Sequence, residues 1–278
     1  MRSFVVDGNF TADHIKQARP NDDVWLTNGE GMMTELVPYN AHLKAAKDLK
    51  EVCVLCHTRL LLNIFFIRLE KPCEPLESSF RAVLDANTGS SVKDINGSGV
   101  HACARHGTYC PSSCVNFSKG EQQKCIDYSL SEALKTTNCD GIRKVLEIYD
   151  IMCQYYKQMG KRFADGERYI SLPPPPMEIE KAIGMFHVHG HQDSCFFRFA
   201  TSFMKGAGMV DGEILETLWS TLNSISPSMR TASLAHRSEV LDDHMNDNNW
   251  KKNVSISEWI IIVSQFPVLH NNSPDHHK

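Results

Sequence analysis

Lys144-Val145-Leu146-Glu147-Ile148-Tyr149-Asp150-Ile151 is a run of β-branched, aliphatic and aromatic residues closed by an acid. It reads as a short strand over 144–149 with Asp150 at its end, followed directly by a helix over roughly 151–163. A second run of this kind stands at the N-terminus, where Ser3-Phe4-Val5-Val6 ends at Asp7 and Asp7-Gly8-Asn9 turns the chain. A third strand is expected over 182–188. Downstream, Asp211-Gly212-Glu213-Ile214-Leu215-Glu216-Thr217-Leu218-Trp219 has the form of a helix start, with Asp211 as N-cap, Glu213 in the first turn and the helix reaching about Asn223. Short strands interleaved with helices predict an α/β fold built on a mixed sheet.

The remaining segments are less regular. Helical character is expected over 41–51, 119–135 and 238–250, the last very polar. The stretch 87–99 is rich in Gly, Ser, Asn and Thr and reads as a loop. The prolines from Pro173 to Pro176 cannot continue a helix and make a stiff spacer over 171–177. The expected organisation is one domain over 1–270, with helical and irregular insertions over about 40–123 and a disordered tail over 271–278.

Composition narrows the function. The chain has 278 residues, 42% of them hydrophobic, ample for a buried core. Its formal net charge is −4, whereas a stand-alone nucleic-acid binder is usually basic. Any contact with DNA must therefore rest on local patches or on a further module. No apolar run is long enough to span a membrane, and Met1 to Phe10 lacks a signal-peptide pattern, so an intracellular protein is expected. In that compartment its 10 cysteines suit metal ligation or buried thiols better than disulfides.

Acids at two strand ends and on a later helix are a known way to hold two divalent ions through oxygen ligands. Such an ion pair clamps the attacking and leaving oxygens of an in-line displacement at phosphorus. On spacing alone, turn or cap residues are the plainer reading of Asp7 and Asp150.

Seven blocks in order across the chain sharpen this reading. They are Val6-Asp7-Gly8-Asn9-Phe10, Cys103-Ala104-Arg105-His106-Gly107, Lys119-Gly120-Glu121 and Glu147-Ile148-Tyr149-Asp150-Ile151-Met152-Cys153-Gln154. Then come Phe186-His187-Val188-His189-Gly190-His191 with Cys195, the stretch from Asp211 to Asn223, and a last block from His236-Arg237 through Leu241-Asp242-Asp243-His244 to Asn249-Trp250-Lys251. Together they resemble the Kyakuja–Dileera–Zisupton (KDZ) transposases, common in fungal genomes. The resemblance implies an RNase H-like core that performs DNA transposition in the nucleus, by phosphodiester hydrolysis and strand transfer on transposon ends and target DNA. It implies two Mg2+ or Mn2+ ions held by Asp7, Asp150 and Glu216, with Glu213 as the other choice for the third acid, and it is compatible with a homo-oligomer. Asp7 follows Met1 by only six residues, and no module for recognising transposon ends is evident, so a truncated or inactive copy is also expected.

Two further sets of residues carry expectations. Cys103 with His106, and His191 with Cys195, have zinc-ligand spacing and predict a structural Zn2+ site joining the two halves, with His187 as an alternative ligand. Read as strand, His187, His189 and His191 share one face. Cys110 and Cys114 add local options, and Cys53, Cys56 and His57 form a small cluster without a partner pair. Trp219, Arg230 and Arg237 are candidate DNA contacts, Trp219 equally a core aromatic and the arginines equally ordinary surface charges. The competing function is a non-catalytic, zinc-stabilised binding domain derived from a transposase.

Overall fold

Two alternating runs form the centre of the molecule. β1 (Arg2–Asn9) turns Phe4 and Val6 to one face and Val5 to the other. β6 (Lys144–Tyr149) divides Val145 and Tyr149 from Leu146 and Ile148 in the same way, as the two-residue period of a strand requires. The two strands pair in parallel, with Val6 opposite Tyr149. β4 (Gly97–Cys103) runs antiparallel along the other side of β1, and β5 (Val115–Phe117) antiparallel to β4. β7 (Glu178–Ala182) is parallel to β6, and the five-stranded mixed sheet has the order β5-β4-β1-β6-β7. β2 (His14–Ile15) and β3 (Lys93–Ile95) make a small separate sheet. These observations come from a computed structural model that describes residues 1–19, 23–46, 92–173 and 177–264, with side chains as far as residue 256.

Helices cover both faces. α1 (Leu36–Ala45), α2 (Gln123–Thr136) and α3 (Met152–Asp165) pack on the Phe4 and Val6 side through Tyr39, Ile126, Leu130, Leu134, Met152 and Tyr155. α5 (Ile214–Asn223) and α7 (Leu234–Ser264) close the Val5 side with Leu215, Leu218, Leu222, Leu241 and Met245. Each fully buried aliphatic side chain of this kind contributes about 1.5–3 kcal/mol. Two short helices, α4 (Asp193–Phe199) and α6 (Ser226–Met229), also lie among the described residues. Between α2 and α3, the carboxylate of Asp127 accepts hydrogen bonds from Arg162 Nε at 2.6 Å and from the Tyr155 hydroxyl at 2.7 Å, which pairs a buried charge.

The strand expected at 144–149 is found, and β1 runs on past its expected end, so that Asp7 lies within it, opposite Val100 of β4. The strand expected at 182–188 ends where it was to begin: β7 is Glu178–Ala182, and His187–Gly190 is a 3-10 turn. The loop expected over 87–99 and the insertion expected over 40–123 are also corrected, because 97–103 and 115–117 supply two strands of the main sheet. Glycine is needed at Gly99 because a Cβ there would collide with the Phe117 ring. Gly99→Ala should cost about 1–3 kcal/mol in urea unfolding, since overpacking displaces that ring; a variant as stable as the parent would refute this reason. The expected helix at 119–135 begins later, at Gln123, and the one at 238–250 extends over Leu234–Ser264. The cluster Cys53, Cys56 and His57, most of the proline run and the tail 271–278 lie outside the described residues.

Candidate metal centre

Strand alternation decides where the acids go. Asp7 follows Val5 by two residues and Asp150 follows Ile148 by two, so both continue the face covered by α5. The parallel register sets Val6 beside Tyr149, which brings the next residues, Asp7 and Asp150, to the same end of neighbouring strands. α5 then delivers Glu213 at its N-cap and Glu216 one turn in. Gly212 makes the entry to this helix with φ of +84°, and a Cβ there would lie 2.8 Å from Ile148 Cγ2. Glycine therefore serves both the backbone conformation and the close approach of α5 to β6.

Asp7, Asp150 and Glu213 each have a defined partner. The indole Nε1–H of Trp219 donates to Asp7 Oδ2 at 2.8 Å. His187 bridges two acids, with Nδ1 3.0 Å from Glu213 Oε2 and Nε2 3.2 Å from Asp150 Oδ2. Glu213 also accepts the Phe186 backbone N–H at 2.9 Å. Asp211, the expected N-cap, accepts the Glu213 N–H at 3.1 Å but caps no helix; Glu213 holds that position. One donor atom each from His187, Glu213 and Glu216 lies within 4.8 Å of the others. Among the described residues, Asp7, Asp150 and Glu216 do not close to so tight a set.

The electrostatics are those of crowded carboxylates. Burial pushes the Asp150 carboxyl up to about 7, aided by the charges of Asp7 and Glu213 and opposed by His187. Burial likewise lifts Glu216 to about 7, with Asp7, Glu213 and Asp150 adding to the rise. Asp7 is raised by burial against the hydrogen bonds from Trp219 and the Gly8 backbone. Glu213 behaves differently: burial pushes it up, but its bonds from His187 and Phe186 prevail and hold it below the ordinary range. His187 rises to about 9, chiefly through its bond to Glu213 and with help from Asp150, so it is protonated at neutral pH and donates to both acids. The cluster thus gathers more carboxylates than one imidazolium can balance. Its oxygen donors fit a hard divalent cation such as Mg2+ or Mn2+, and do not match the thiolate-rich set that soft metals prefer.

Glu121 is an acid to which the sequence reading assigned no role. It stands against Gly8 on the opposite face, accepts the Tyr149 hydroxyl at 2.7 Å, and is lifted to about 8 by burial and then by the charge of Asp7. The sequence signal was its place in Lys119-Gly120-Glu121, but no local periodicity ties that block to Asp7. His187 was expected as an alternative zinc ligand on a strand; it lies on a 3-10 turn, between two acids.

The expected zinc set does not assemble. Cys103 lies opposite Phe4, at the other end of β1 from Asp7, and its Sγ is 3.3 Å from His106 Nδ1. His191 and Cys195 instead meet Cys153, which follows Asp150 by three residues. Cys110 and Cys114 are buried thiols, and burial raises Cys114 to about 12.

The candidate DNA contacts are largely occupied within the fold. Trp219 is 6% exposed and holds Asp7, so it combines a core role with a place beside the site. Arg230 pairs with Asp13 at 2.5 Å. Arg237 is completely buried and donates to Asn116 Oδ1, Ser98 Oγ and the Ala12 carbonyl. The rest of its block is also structural: Asp242 Oδ1 accepts the Met32 and Met33 N–H groups at 2.7 and 2.6 Å, and Asn249 Oδ1 accepts the Tyr109 N–H at 2.7 Å.

The family model described as KDZ, Kyakuja-Dileera-Zisupton transposase, matches residues 1–249. No curated protein and no solved structure matches the chain.

Proposed function

The chain belongs to the Kyakuja-Dileera-Zisupton transposase family, and from that premise we propose that it is an RNase H-like catalytic domain that cuts and joins phosphodiester bonds of DNA in the nucleus. The observation that carries this reading is the shared end of β1 and β6, where Asp7 and Asp150 lie side by side on the face that α5 covers with Glu216. A mixed sheet with two aspartates on neighbouring strands and an acid on a later helix is the arrangement the family implies. The alternative of a non-catalytic domain stapled by zinc at Cys103, His106, His191 and Cys195 loses that ligand set, because Cys103 and His106 stand apart from His191 and Cys195.

In this reading Asp7, Asp150 and Glu216 hold Mg2+ or Mn2+. Two such ions would supply Lewis-acid charge for in-line displacement at phosphorus. The protein's share is orientation. Trp219 fixes the orientation of the Asp7 carboxylate through Oδ2. His187 keeps Glu213 turned back against the Phe186 backbone, which leaves Glu216 as the acid of α5 without a fixed cationic partner among the described residues. Glu216 is thus the third ligand and Glu213 its neighbour's anchor.

Mn2+-dependent nicking of supercoiled plasmid tests this assignment. Glu216→Gln should lose nicking by about 100-fold or more, the scale of removing one group that stabilises transition-state charge, while Glu213→Gln should lose about 10-fold through a loosened His187. The reverse order would make Glu213 the third acid. A folded parent chain that never nicks would overturn the catalytic reading.

No helix among the described residues is long and apolar enough to cross a membrane.

A further inference from the structure

We propose that Cys153, His191 and Cys195 form a zinc site, built beside the carboxylate centre and distinct from it. One ligand atom from each residue lies within 4.8 Å of the others. The Cys153 Sγ to His191 Nδ1 distance is 3.5 Å. In a tetrahedral zinc site with Zn–S near 2.3 Å and Zn–N near 2.05 Å, the sulfur–nitrogen edge is about 3.6 Å. This sulfur–nitrogen edge is therefore already close to what a zinc ion would need.

The donor chemistry separates this site from its neighbour. Two thiols and an imidazole select a borderline ion such as Zn2+, whereas the carboxylates select Mg2+ or Mn2+. Both cysteines are half-buried thiols outside any disulfide. The His191 ring also hydrogen-bonds the Asp150 backbone, the kind of outer partner that fixes a ligating histidine's orientation. Three protein ligands leave the fourth vertex to a water molecule.

Its place in the fold gives it a task. Cys153 sits in the first turn of α3, three residues after Asp150; His191 follows the 3-10 turn that carries His187; Cys195 lies in α4. One ion would tie these three elements together and hold Asp150 and His187 in register. These are positioning residues, and the inference stands whether or not the carboxylate centre cleaves DNA.

Zinc content per chain, measured by mass spectrometry of the metal after reduction and reconstitution with one equivalent of Zn2+, tests it. The full chain, Cys153→Ser, Cys195→Ser, Cys103→Ser and Glu216→Gln are compared. About one zinc should be lost in the first two variants and kept in the other two. Zinc retained by Cys153→Ser and Cys195→Ser, or not taken up by the parent, would overturn the site. If those two variants do not fold, thiol alkylation of the parent decides: zinc should protect Cys153 and Cys195 and leave Cys103 labelling unchanged. Equal labelling of Cys153 and Cys195 with and without zinc would refute the proposal.

Discussion

Asp150→Asn is expected to reduce Mn2+-dependent nicking by at least about 1000-fold and, in the same molecule, to make the metal-free chain more stable at pH 8. Both effects follow from one cause. Asp150 is held at about 7 by burial and by the charges of Asp7 and Glu213. Glu216 is at about 7 and Glu121 at about 8. A carboxyl whose folded value lies above its unfolded value binds protons that the unfolded chain has released. Stability is therefore highest below about pH 4 as far as these groups are concerned, and is lost as pH rises through about 7–8. His187, raised to about 9, acts in the same direction, since its stabilisation is full below its ordinary value near 6.5 and fades as pH passes 9.

Replacing the Asp150 charge with an amide removes part of this cost. Asp150 is partly open to solvent, so the gain is about 1–3 kcal/mol after screening. Divalent cations relieve the same repulsion, and protons compete with them for the same oxygens. Mn2+ should therefore raise the melting temperature of the parent more at pH 8 than at pH 6, and that of Asp150→Asn less. Thermal unfolding at both pH values, with and without Mn2+, measures all of this beside the nicking assay. An Asp150→Asn chain that nicks like the parent, or that melts lower than the parent at pH 8 without metal, would contradict the account.

The second large effect is expected at Arg237, through stability. Its guanidinium is fully buried and donates to Asn116 Oδ1 at 3.0 Å, Ser98 Oγ at 3.0 Å and the Ala12 carbonyl at 2.7 Å. These groups belong to β4, to the middle of β5, and to the segment following β1, so one side chain of α7 stitches the helix to that side of the sheet. Arg237→Ala removes the shared donor from these acceptors, leaves Asn116 Oδ1 only its bond from the Ser98 hydroxyl, and opens a cavity. A cost of about 3–5 kcal/mol follows, a large share of a domain's stability. Arg237→Lys should recover only part of it, because an ammonium cannot span the same fork of acceptors. Arg230→Ala removes a half-exposed partner of Asp13 and should cost about 1 kcal/mol or less. Urea midpoints of the three variants give the ranking. An Arg237→Ala chain with parental stability and weakened DNA binding would restore Arg237 as a DNA contact.

The strand 144–149 was legible because its alternation is local and one face is buried under each helix layer. β7 was misjudged for the opposite reason. Glu178-Ile179-Glu180-Lys181-Ala182 is an edge strand, and edges carry charge that masks the pattern, whereas the apolar Ile183, Met185 and Phe186 drew the reading downstream. β4 was hidden by glycines that look like loop residues until Phe117 is seen lying across Gly99.

The same division runs through the candidate site residues. Asp7, Asp150 and the acids of Asp211 to Glu216 are readable from the chain alone, because a strand end or helix start is decided by near neighbours and an acid there is conspicuous. Which cysteines and histidines meet is not a local property. His191-x3-Cys195 is visible in sequence, but its third member, Cys153, is set by the path from β6 into α3, and Cys103 is removed by a strand register that puts it opposite Phe4. Burial of Arg237 likewise depends on α7 crossing strands more than 100 residues away. Local periodicity encodes each element and the acid at its end. Strand order, register and helix docking, which spend long-range contacts to assemble those elements, alone decide which side chains share a site.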